Sequence, residues 1–453
     1  MNNQIGISRK MWFILIFFGL FGQIAWSVEN MYFNLFVYNT IAKNTEAVTL
    51  MVQLSGITAT VVTLFAGIFS DKVGNRRMFI SIGYIIWGLT IIVFAFISKE
   101  NTSKLFHISD TAKIISTTCA IVVAMDCIMT LFGSTANDAC FNAWVTDNTS
   151  TYNRGKVEGV LSVLPLFALL IVAGGFGLVV NAIGYDGMFI ALGSIVSIAG
   201  ILGLFIIKDS PTLEKSHSVF FSDLIYGFKP SVIKQNSTLY IIFITMCIYS
   251  ISSQVFMPYL IIYLQEYLGF SVIEYSLVLG LVIILGAVVV VLVSNASDKL
   301  RKDKLCYFFA ALYSVGLILI FFVKGGNHTA NVVLLGLFGF IMIIGYISIL
   351  SILGALLRDY TPTENAGKLQ GIRMIFYILI PMFVGPAIGQ ALNESQGITY
   401  IDADTGLESN IPAPEIFLVA GIIALLMFIP LIFLTRKINK ELKIKKLKEM
   451  DYD

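Results

Sequence analysis

The stretch Gly67-Ile-Phe-Ser-Asp71-Lys72-Val-Gly74-Asn-Arg76-Arg77 places four charged residues within seven positions. The runs on either side of it, 47–70 and 78–98, contain no charged residue at all. About 20 apolar residues in a helix cross a bilayer. The stretch is therefore predicted to be a short polar connection between two membrane-spanning helices.

The rest of the chain repeats this alternation of apolar runs and polar connections. Of its 453 residues, 57% are hydrophobic and 13% are charged, against about 25% charged in a soluble domain. This composition excludes a soluble enzyme, a nucleic-acid binder and a disordered scaffold. We predict an all-α membrane protein with twelve transmembrane helices, called spans 1–12, at 11–38, 47–70, 78–98, 114–140, 157–182, 187–207, 239–264, 273–295, 305–323, 330–356, 372–392 and 415–435.

The basic residues predict the orientation. With both termini on one side, only five of the 30 Lys and Arg residues lie on the other: Lys43, Lys99, Lys104, Lys113 and Lys324. Cytoplasmic loops carry the excess of Lys and Arg. We expect a multi-pass protein of the cell membrane with cytoplasmic termini, whose basic tail, 436–453, lies against anionic lipid.

Two motifs recur six spans apart. The pattern D-x-T-x5-G-K-x-x-G occupies 147–159 and 359–371, and Ser-Asp-Lys occupies 70–72 and 297–299. Such repeats predict two related six-helix bundles, the architecture of alternating-access transporters. The expected domains are bundles at 1–208 and 239–435, a cytoplasmic linker at 209–238 with an amphipathic helix at 218–233, and the tail.

The charged residues of these connections have two interpretations. They simply obey the charge rule for topology, or they form ion pairs that hold one conformation and release it when the bundles move. The repeated Ser-Asp-Lys favours gating. The gating candidates are Asp71, Arg76, Arg77, Asp147, Arg154, Asp298 and Asp359.

Spans 1 and 4 carry carboxylates, which are costly inside a bilayer and indicate function. Span 1 contains Glu29 with Gln23 and Asn30, although Glu29 could also reach the outer boundary by snorkelling. On span 4, Asp126, Thr130, Ser134 and Asn137 form one stripe at about 100° per residue, and Asp138 lies beside it. The stripe faces either neighbouring helices or a wet cavity. Two carboxylates favour the cavity.

Span 7 shows a weaker signal for a hydroxylated ligand. Gln254 lies on a polar face of the span, Pro258 is expected to break the helix, and Tyr259 and Tyr263 follow. Sugar hydroxyls need donors and acceptors, and sugar rings stack on aromatic side chains, although most aromatic residues of this chain are expected simply to pack.

Several kinds of chemistry are not indicated. There is no G-x-x-x-x-G-K-[ST] loop for ATP, and no His or Cys pattern indicates a metal site. We expect no enzyme activity and no cofactor, and a transport process driven by a gradient of H+ or Na+.

The stretch 67–77 resembles the loop 2–3 signature of the major facilitator superfamily, G-x-x-x-D-[RK]-x-G-x-[RK]-[RK]. Residues 137–147 and 153–159, together with Gly22-Gln23, resemble the glycoside–pentoside–hexuronide:cation symporters. This resemblance implies that Asp138 corresponds to the span 4 acid that binds sugar in the melibiose permease branch. That branch has cation-binding aspartates where this chain has Ala59 and Thr63, and a span 1 aspartate near Ile24.

These observations predict a symporter of a sugar or glycoside, acting as a monomer in the lipid bilayer, with no nucleic-acid partner. Asp138, Asn137, Gln23, Asn30, Gln254, Tyr259 and Tyr263 are the candidate ligand-binding residues. Because the aspartates of the branch are missing, Glu29 or Asp126 is expected to carry the coupling ion. The alternatives are a facilitator or exporter of an amphipathic solute or lysolipid, and a membrane receptor that does not transport.

Overall fold

The computed structural model describes residues 7–149, 154–161, 163–210, 226–297, 301–324, 326–362, 366–403 and 405–450. In this part, eleven helices are long and apolar enough to cross a membrane. They are Arg9–Ile41 (span 1), Thr45–Val73 (span 2), Arg76–Phe94 (span 3), Thr111–Asp147 (span 4), Gly159–Ile206, Ser237–Tyr267 (span 7), Val272–Val289 (span 8), Lys302–Phe321 (span 9), His328–Tyr360 (span 10), Gly371–Gln396 (span 11) and Glu415–Ile444 (span 12).

The helix Gly159–Ile206 has 48 residues, about twice the length that one crossing needs. It is broken at Gly184, where φ is 72° and ψ is 175°. Glycine adopts this conformation readily because it has no Cβ. The break divides the helix into spans 5 and 6, so the predicted all-helical fold with twelve spans is confirmed.

Shorter elements connect the spans. They are the helices Lys99–Phe106, Arg154–Leu161 and Pro230–Gln235 and the strands Ile398–Ile401 (β1) and Glu408–Ile411 (β2). The strands pair antiparallel, Ile398 with Ile411 and Ile401 with Glu408, in a hairpin between spans 11 and 12 that the sequence did not predict. Most of the predicted amphipathic helix, 218–233, lies outside the described residues.

Irregular turns interrupt several spans. Met257–Tyr259 is a single 3₁₀ turn, at the predicted break, because Pro258 has no N–H to continue an α-helix. The π-helical turns are Glu29–Phe33, Val37–Ile41, Ser134–Phe141, Val172–Phe176, Tyr263–Tyr267 and Ile375–Leu379. Such turns occur frequently at functional sites, and two of them contain the candidate residues Glu29 and Asp138.

The chain divides into two compact units. The first contains 1–219, 257–280 and 397–412, and the second contains 220–256, 281–396 and 413–453. The first unit therefore holds the first six spans together with the end of span 7, the beginning of span 8 and the hairpin. The domain boundaries expected from the sequence repeat remain a prediction.

Small residues bring spans 3 and 6 together in the first unit. A Cβ added to Gly200 would lie 2.5 Å from the backbone nitrogen of Ile85 and 2.6 Å from the carbonyl oxygen of Ser81. Membrane helices approach this closely only where a side chain is absent. At the end of span 3, Phe94 packs against Phe33 of span 1, with ring centroids 4.6 Å apart.

Replacing Gly200 by alanine is expected to lower the free energy of unfolding by about 1–3 kcal/mol, because the backbone of span 3 would have to move. Thermal unfolding in detergent measures this. The control is Gly336→Ala in span 10, where nothing lies within 4 Å of the added Cβ. Equal midpoints for the two variants would show that spans 3 and 6 are not closely packed.

Candidate functional site

Glu29 lies inside the first unit and is only 6% exposed. Its Oε1 accepts a hydrogen bond from Ser55 Oγ on span 2 at 2.7 Å and a longer one from Thr130 Oγ1 on span 4 at 3.3 Å. The two hydroxyl oxygens are themselves 3.0 Å apart. The side chain of Glu29 is thus surrounded by protein and does not snorkel to the outer boundary of the membrane.

Asp126 is the charged neighbour of this cluster. It is 1% exposed, interacts electrostatically with Glu29 and borders the hydroxyl of Ser55. Within the described residues, Glu29 Oε2 and Asp126 Oδ1 have no hydrogen-bond partner. Two buried carboxylates with unsatisfied oxygens require a proton or a bound cation, because burying unpaired charge is very costly.

Asp138 is half-buried on the same span. Its Oδ2 accepts from Ser134 Oγ at 3.1 Å, and its Oδ1 accepts from Asn137 Nδ2 at 3.3 Å. The indole of Trp26 borders it, and its charge reaches Glu29. A carboxylate beside an aromatic ring is an arrangement that suits a hydroxylated ring.

Asn137 is buried and holds Asp138 in position. Its Oδ1 lies 3.0 Å from the hydroxyl of Tyr84 on span 3, and it packs against Gly22, where a Cβ would collide with it. The amide therefore faces protein on this side. This contact explains by packing why position 22 is a glycine. Gly22 is part of the sequence that resembles the symporter subfamily.

The remaining ligand-binding candidates are spread more widely. Gln23 is half-buried on span 1, and Asn30 Nδ2 donates to the Trp26 carbonyl at 2.7 Å. Tyr259 and Tyr263 are fully buried, and the Tyr259 hydroxyl is 2.6 Å from Thr49 Oγ1. Gln254 belongs to the second unit.

The structure thus brings together Glu29 and Asp126, whereas Asp138 lies twelve residues further along span 4 and interacts with Glu29 only electrostatically. Sequence reasoning missed two of their neighbours, Ser55 and Trp26. Ser55 is one of several hydroxyl-bearing residues of span 2, and nothing in the sequence distinguishes it from Thr58, Thr60 and Thr63. Nothing in the sequence singled out Trp26 either, because aromatic residues are abundant throughout this chain.

Arg76 joins the ends of three spans in the first unit. It is 5% exposed. Its guanidinium group forms ion pairs with Asp71 on span 2 and, at 3.1 Å, with Asp147 on span 4. The adjacent Arg77 takes no part in these pairs, and its backbone N–H donates to Asp209 at 2.9 Å.

The second unit contains the corresponding ion pair. Lys302, at the start of span 9, contacts Asp359, at the end of span 10, at 2.7 Å. Arg76 and Asp147 occupy the same places on spans 3 and 4, so the repeated motif produces the same contact in each unit. Among the other gating candidates, Asp298 and the side chain of Arg154 lie outside the described residues.

The β-hairpin is fastened to the connection between spans 1 and 2. Asp402 forms an ion pair with Lys43 at 3.3 Å. The Asn410 N–H donates to the Lys43 carbonyl at 3.1 Å, and its Oδ1 accepts from the Thr45 N–H at 3.0 Å. The hydroxyl of Tyr38 donates to the Asn410 carbonyl at 2.8 Å. These contacts attach the hairpin to the first unit.

The chain belongs to the Major Facilitator Superfamily, whose sequence model matches residues 11–353 and 242–450. It is therefore a membrane transporter for small-molecule solutes and not an enzyme. No curated protein matches it.

Solved structures share the fold. A D-xylose-proton symporter has a TM-score of 0.64 at 13% identity, with 92% of this chain and 97% of that chain covered. The nucleoside transporter NupG has a TM-score of 0.63 at 11% identity, with 93% and 98% covered. An inward-facing, occupied bacterial homologue of the human lysosomal transporter Spinster has a TM-score of 0.64 at 11% identity, with 93% and 96% covered.

Arg76→Gln is expected to destabilise the first unit by about 1–2 kcal/mol, because two partly exposed carboxylates lose their shared, buried cation. The thermal midpoint in detergent measures the effect. Glu100→Gln breaks the exposed pair with Lys104 and is expected to change stability by less than about 0.5 kcal/mol. Equal losses in the two variants would contradict the bridging role of Arg76.

The attachment of the hairpin is expected to weaken in acid. A hydrogen bond from Thr405 and the ion pair with Lys43 lower the pKa of Asp402, while hydrogen bonding to Asp402 raises the pKa of Lys43. The stabilisation is therefore complete above about pH 4, the ordinary pKa of Asp, and is lost as the pH falls through the lowered pKa. It is also lost in strong base, as the pH rises through the raised pKa of Lys43.

Thermal midpoints of wild type and Asp402→Asn should therefore differ by a constant amount between about pH 5 and pH 9. The difference should shrink below about pH 4. Because Lys43 is partly exposed, the ion pair is expected to contribute no more than about 1 kcal/mol to the free energy of unfolding. In Thr405→Ala, which removes a hydrogen bond to Asp402, the loss of stabilisation should begin at a higher pH. A difference between the midpoints of wild type and Asp402→Asn that stays constant down to acid pH would contradict the ion pair.

Proposed function

We propose that this chain is a symporter that couples the movement of a sugar or glycoside to H+ or Na+ by alternating access. The observation that carries the proposal is the buried cluster of Glu29 and Asp126 with the hydroxyls of Ser55 and Thr130. It has unsatisfied carboxylate oxygens for a cation, and it lies within electrostatic reach of the half-buried Asp138.

Coupling follows from these charges. A cation bound between Glu29 and Asp126 neutralises the charge next to Asp138 and makes it less costly for a solute to replace water there. By linkage, a solute that binds better at Asp138 when the cation is present also strengthens the binding of the cation to the cluster. Each ligand therefore favours binding of the other, which is the reciprocal linkage that symport requires.

Asp138 is assigned to the binding of the hydroxyl groups of the solute, and Trp26 to stacking on the face of the sugar ring. Asn137 holds Asp138 in place. The resemblance to glycoside–pentoside–hexuronide:cation symporters and the fold shared with a D-xylose-proton symporter support a sugar. The distribution of Lys and Arg supports cytoplasmic termini, and a monomer suffices because one chain contains both repeats.

The ion pairs are assigned to gating. Arg76 with Asp71 and Asp147, and Lys302 with Asp359, would hold the cytoplasmic ends of their spans in one arrangement. Bistable contacts of this kind make a conformational change discrete and not gradual.

The coupling residues are tested by replacing Glu29 with Gln and Asp126 with Asn. Purified variants in proteoliposomes are expected to lose accumulation of labelled sugar against its gradient by at least about tenfold, while sugar exchange at equal concentrations continues. The proton or sodium gradient supplies the driving force, and each is imposed separately. Glu46→Gln, at an exposed carboxylate on span 2, is the matched control.

Three results would contradict the proposal. If both variants still concentrate sugar, the cluster does not couple transport. If the wild type equilibrates an amphipathic solute or a lysolipid but accumulates no sugar under either gradient, the chain is a facilitator. Absence of any saturable flux would favour a receptor.

A further inference from the structure

The indole of Trp26 packs along span 4 in the first unit. Its Cη2 atom is 3.0 Å from the place where a Cβ on Gly133 would lie, and its ring system borders Asp138. Gly133 directly precedes the π-helical turn Ser134–Phe141. Residues five positions apart follow one another along one side of such a turn, because its hydrogen bonds join residue i to residue i+5. One indole can therefore contact both positions.

Trp87, on span 3, lies on the other side of Trp26. The two rings have centroids 5.0 Å apart and planes inclined at 43°, and Trp87 also packs against Tyr84, with centroids 5.5 Å apart. The same Cβ on Gly133 would lie 2.7 Å from Cε2 of Trp87. The two indoles thus meet at Gly133, in a space that stays open only because this residue has no side chain.

Trp87 has no room to move away from Trp26. Its side chain is 0% exposed, and the next residue, Gly88, is packed against span 6. A Cβ on Gly88 would lie 2.3 Å from the carbonyl oxygen of Gly193. Trp26, in contrast, is half-buried. A methyl group added at position 133 would therefore displace Trp26 and leave Trp87 in place, because a close-packed interior has little space to give.

Ring packing alone fixes the orientation of these two indoles. Among the described residues, the buried N–H groups of Trp26 and Trp87 have no hydrogen-bond partner. A buried donor without a partner lowers the stability of the fold. Such a cost in a native protein calls for a functional explanation.

We propose that Gly133 and Trp87 are positioning residues, which hold the indole of Trp26 beside Asp138 and thereby set the affinity of the site for a ring-shaped solute. The inference rests on the proposed function, in which Trp26 stacks on the face of a sugar ring. Stacking requires two ring planes that face each other at close range. A displaced indole loses that contact, whereas the carboxylate of Asp138 keeps its own hydrogen bonds.

Gly133→Ala tests the inference in proteoliposomes with labelled methyl β-glucoside. The sugar concentration that gives half-maximal uptake should rise at least about tenfold, while the maximal rate stays within about twofold of the wild type. A variant that merely folds poorly would lower the maximal rate and leave the half-maximal concentration unchanged. The matched control is Gly175→Ala on span 5, where nothing lies within 4 Å of the added Cβ, and it should change neither quantity.

A second substitution separates displacement of Trp26 from general damage. Trp87→Phe replaces the indole by a smaller ring and makes room for the added methyl group. The double variant Gly133→Ala/Trp87→Phe should therefore have a half-maximal concentration closer to that of the wild type than Gly133→Ala has. Losses of affinity that simply add in the double variant would overturn the inference.

Tryptophan fluorescence reports the position of Trp26 in the absence of sugar. The chain has four tryptophans, of which Trp87 and Trp144 are 0% and 3% exposed. In a Trp12→Phe background, acrylamide should therefore quench mainly Trp26. Gly133→Ala is expected to raise the quenching constant of the detergent-solubilised protein, and the added Trp87→Phe should lower it again. An unchanged quenching constant in Gly133→Ala would overturn the inference.

The outcomes distinguish this inference from the function on which it rests. If the wild type transports the sugar and Gly133→Ala alters quenching but not affinity, Trp26 does not bind the solute, and the inference is overturned while symport stands. If the wild type transports no sugar but quenching responds as expected in the single and double variants, Trp26 is positioned as proposed and the assignment of a sugar is wrong.

Discussion

The free-energy cost of burying a carboxylate in a membrane protein governs the layout of the first unit. Glu29 and Asp126 are almost completely removed from solvent, and water is not available there to stabilise their charge. The hydroxyls of Ser55 and Thr130 offset part of this cost. They do not offset the whole cost, because one oxygen on each carboxylate lacks a hydrogen-bond partner among the described residues. The cluster is stable only with a proton or another cation, and this requirement makes it suitable for coupling.

The same constraint explains the elements around the cluster. Spans 1, 2 and 4 each contribute a polar side chain to one point, so these three helices must stay in register. In the π-helical turn Ser134–Phe141 of span 4, the hydroxyl of Ser134 donates to Asp138 at 3.1 Å. Asp126 and Asp138 lie on span 4, and Glu29 on span 1 interacts electrostatically with both, so a change of charge at Glu29 affects the other two carboxylates.

Much of this arrangement could be predicted from the sequence, because it depends on local pattern. Apolar length predicted the spans, Pro258 predicted the break in span 7, and the polar stripe predicted that Asp126, Thr130 and Ser134 share a side of span 4. The repeated motif predicted that charged residues occupy equivalent positions in the two halves of the chain. The ion pairs Arg76–Asp147 and Lys302–Asp359 are such equivalent contacts. The spans, the break and the stripe are each encoded within one helix, and the two ion pairs follow from charged residues that recur at equivalent ends of the spans.

What the sequence did not reveal depends on contacts between distant segments. Ser55 and Glu29 are partners only because spans 1 and 2 pack in one register, and no spacing rule gives that register. The hairpin between spans 11 and 12 was missed because its strands have four residues each and are fixed by Lys43 and Tyr38, more than 350 residues earlier.

The most direct test of the account is to count the cations held by the purified protein. Proton release in weakly buffered detergent solution, and binding of radioactive sodium, are each measured as sugar is added. The account predicts that binding of sugar changes the occupancy of one cation species by about one per chain, and that the Glu29→Gln/Asp126→Asn double variant shows no such change. An identical change in the wild type and the double variant, or no change in the wild type, would contradict it.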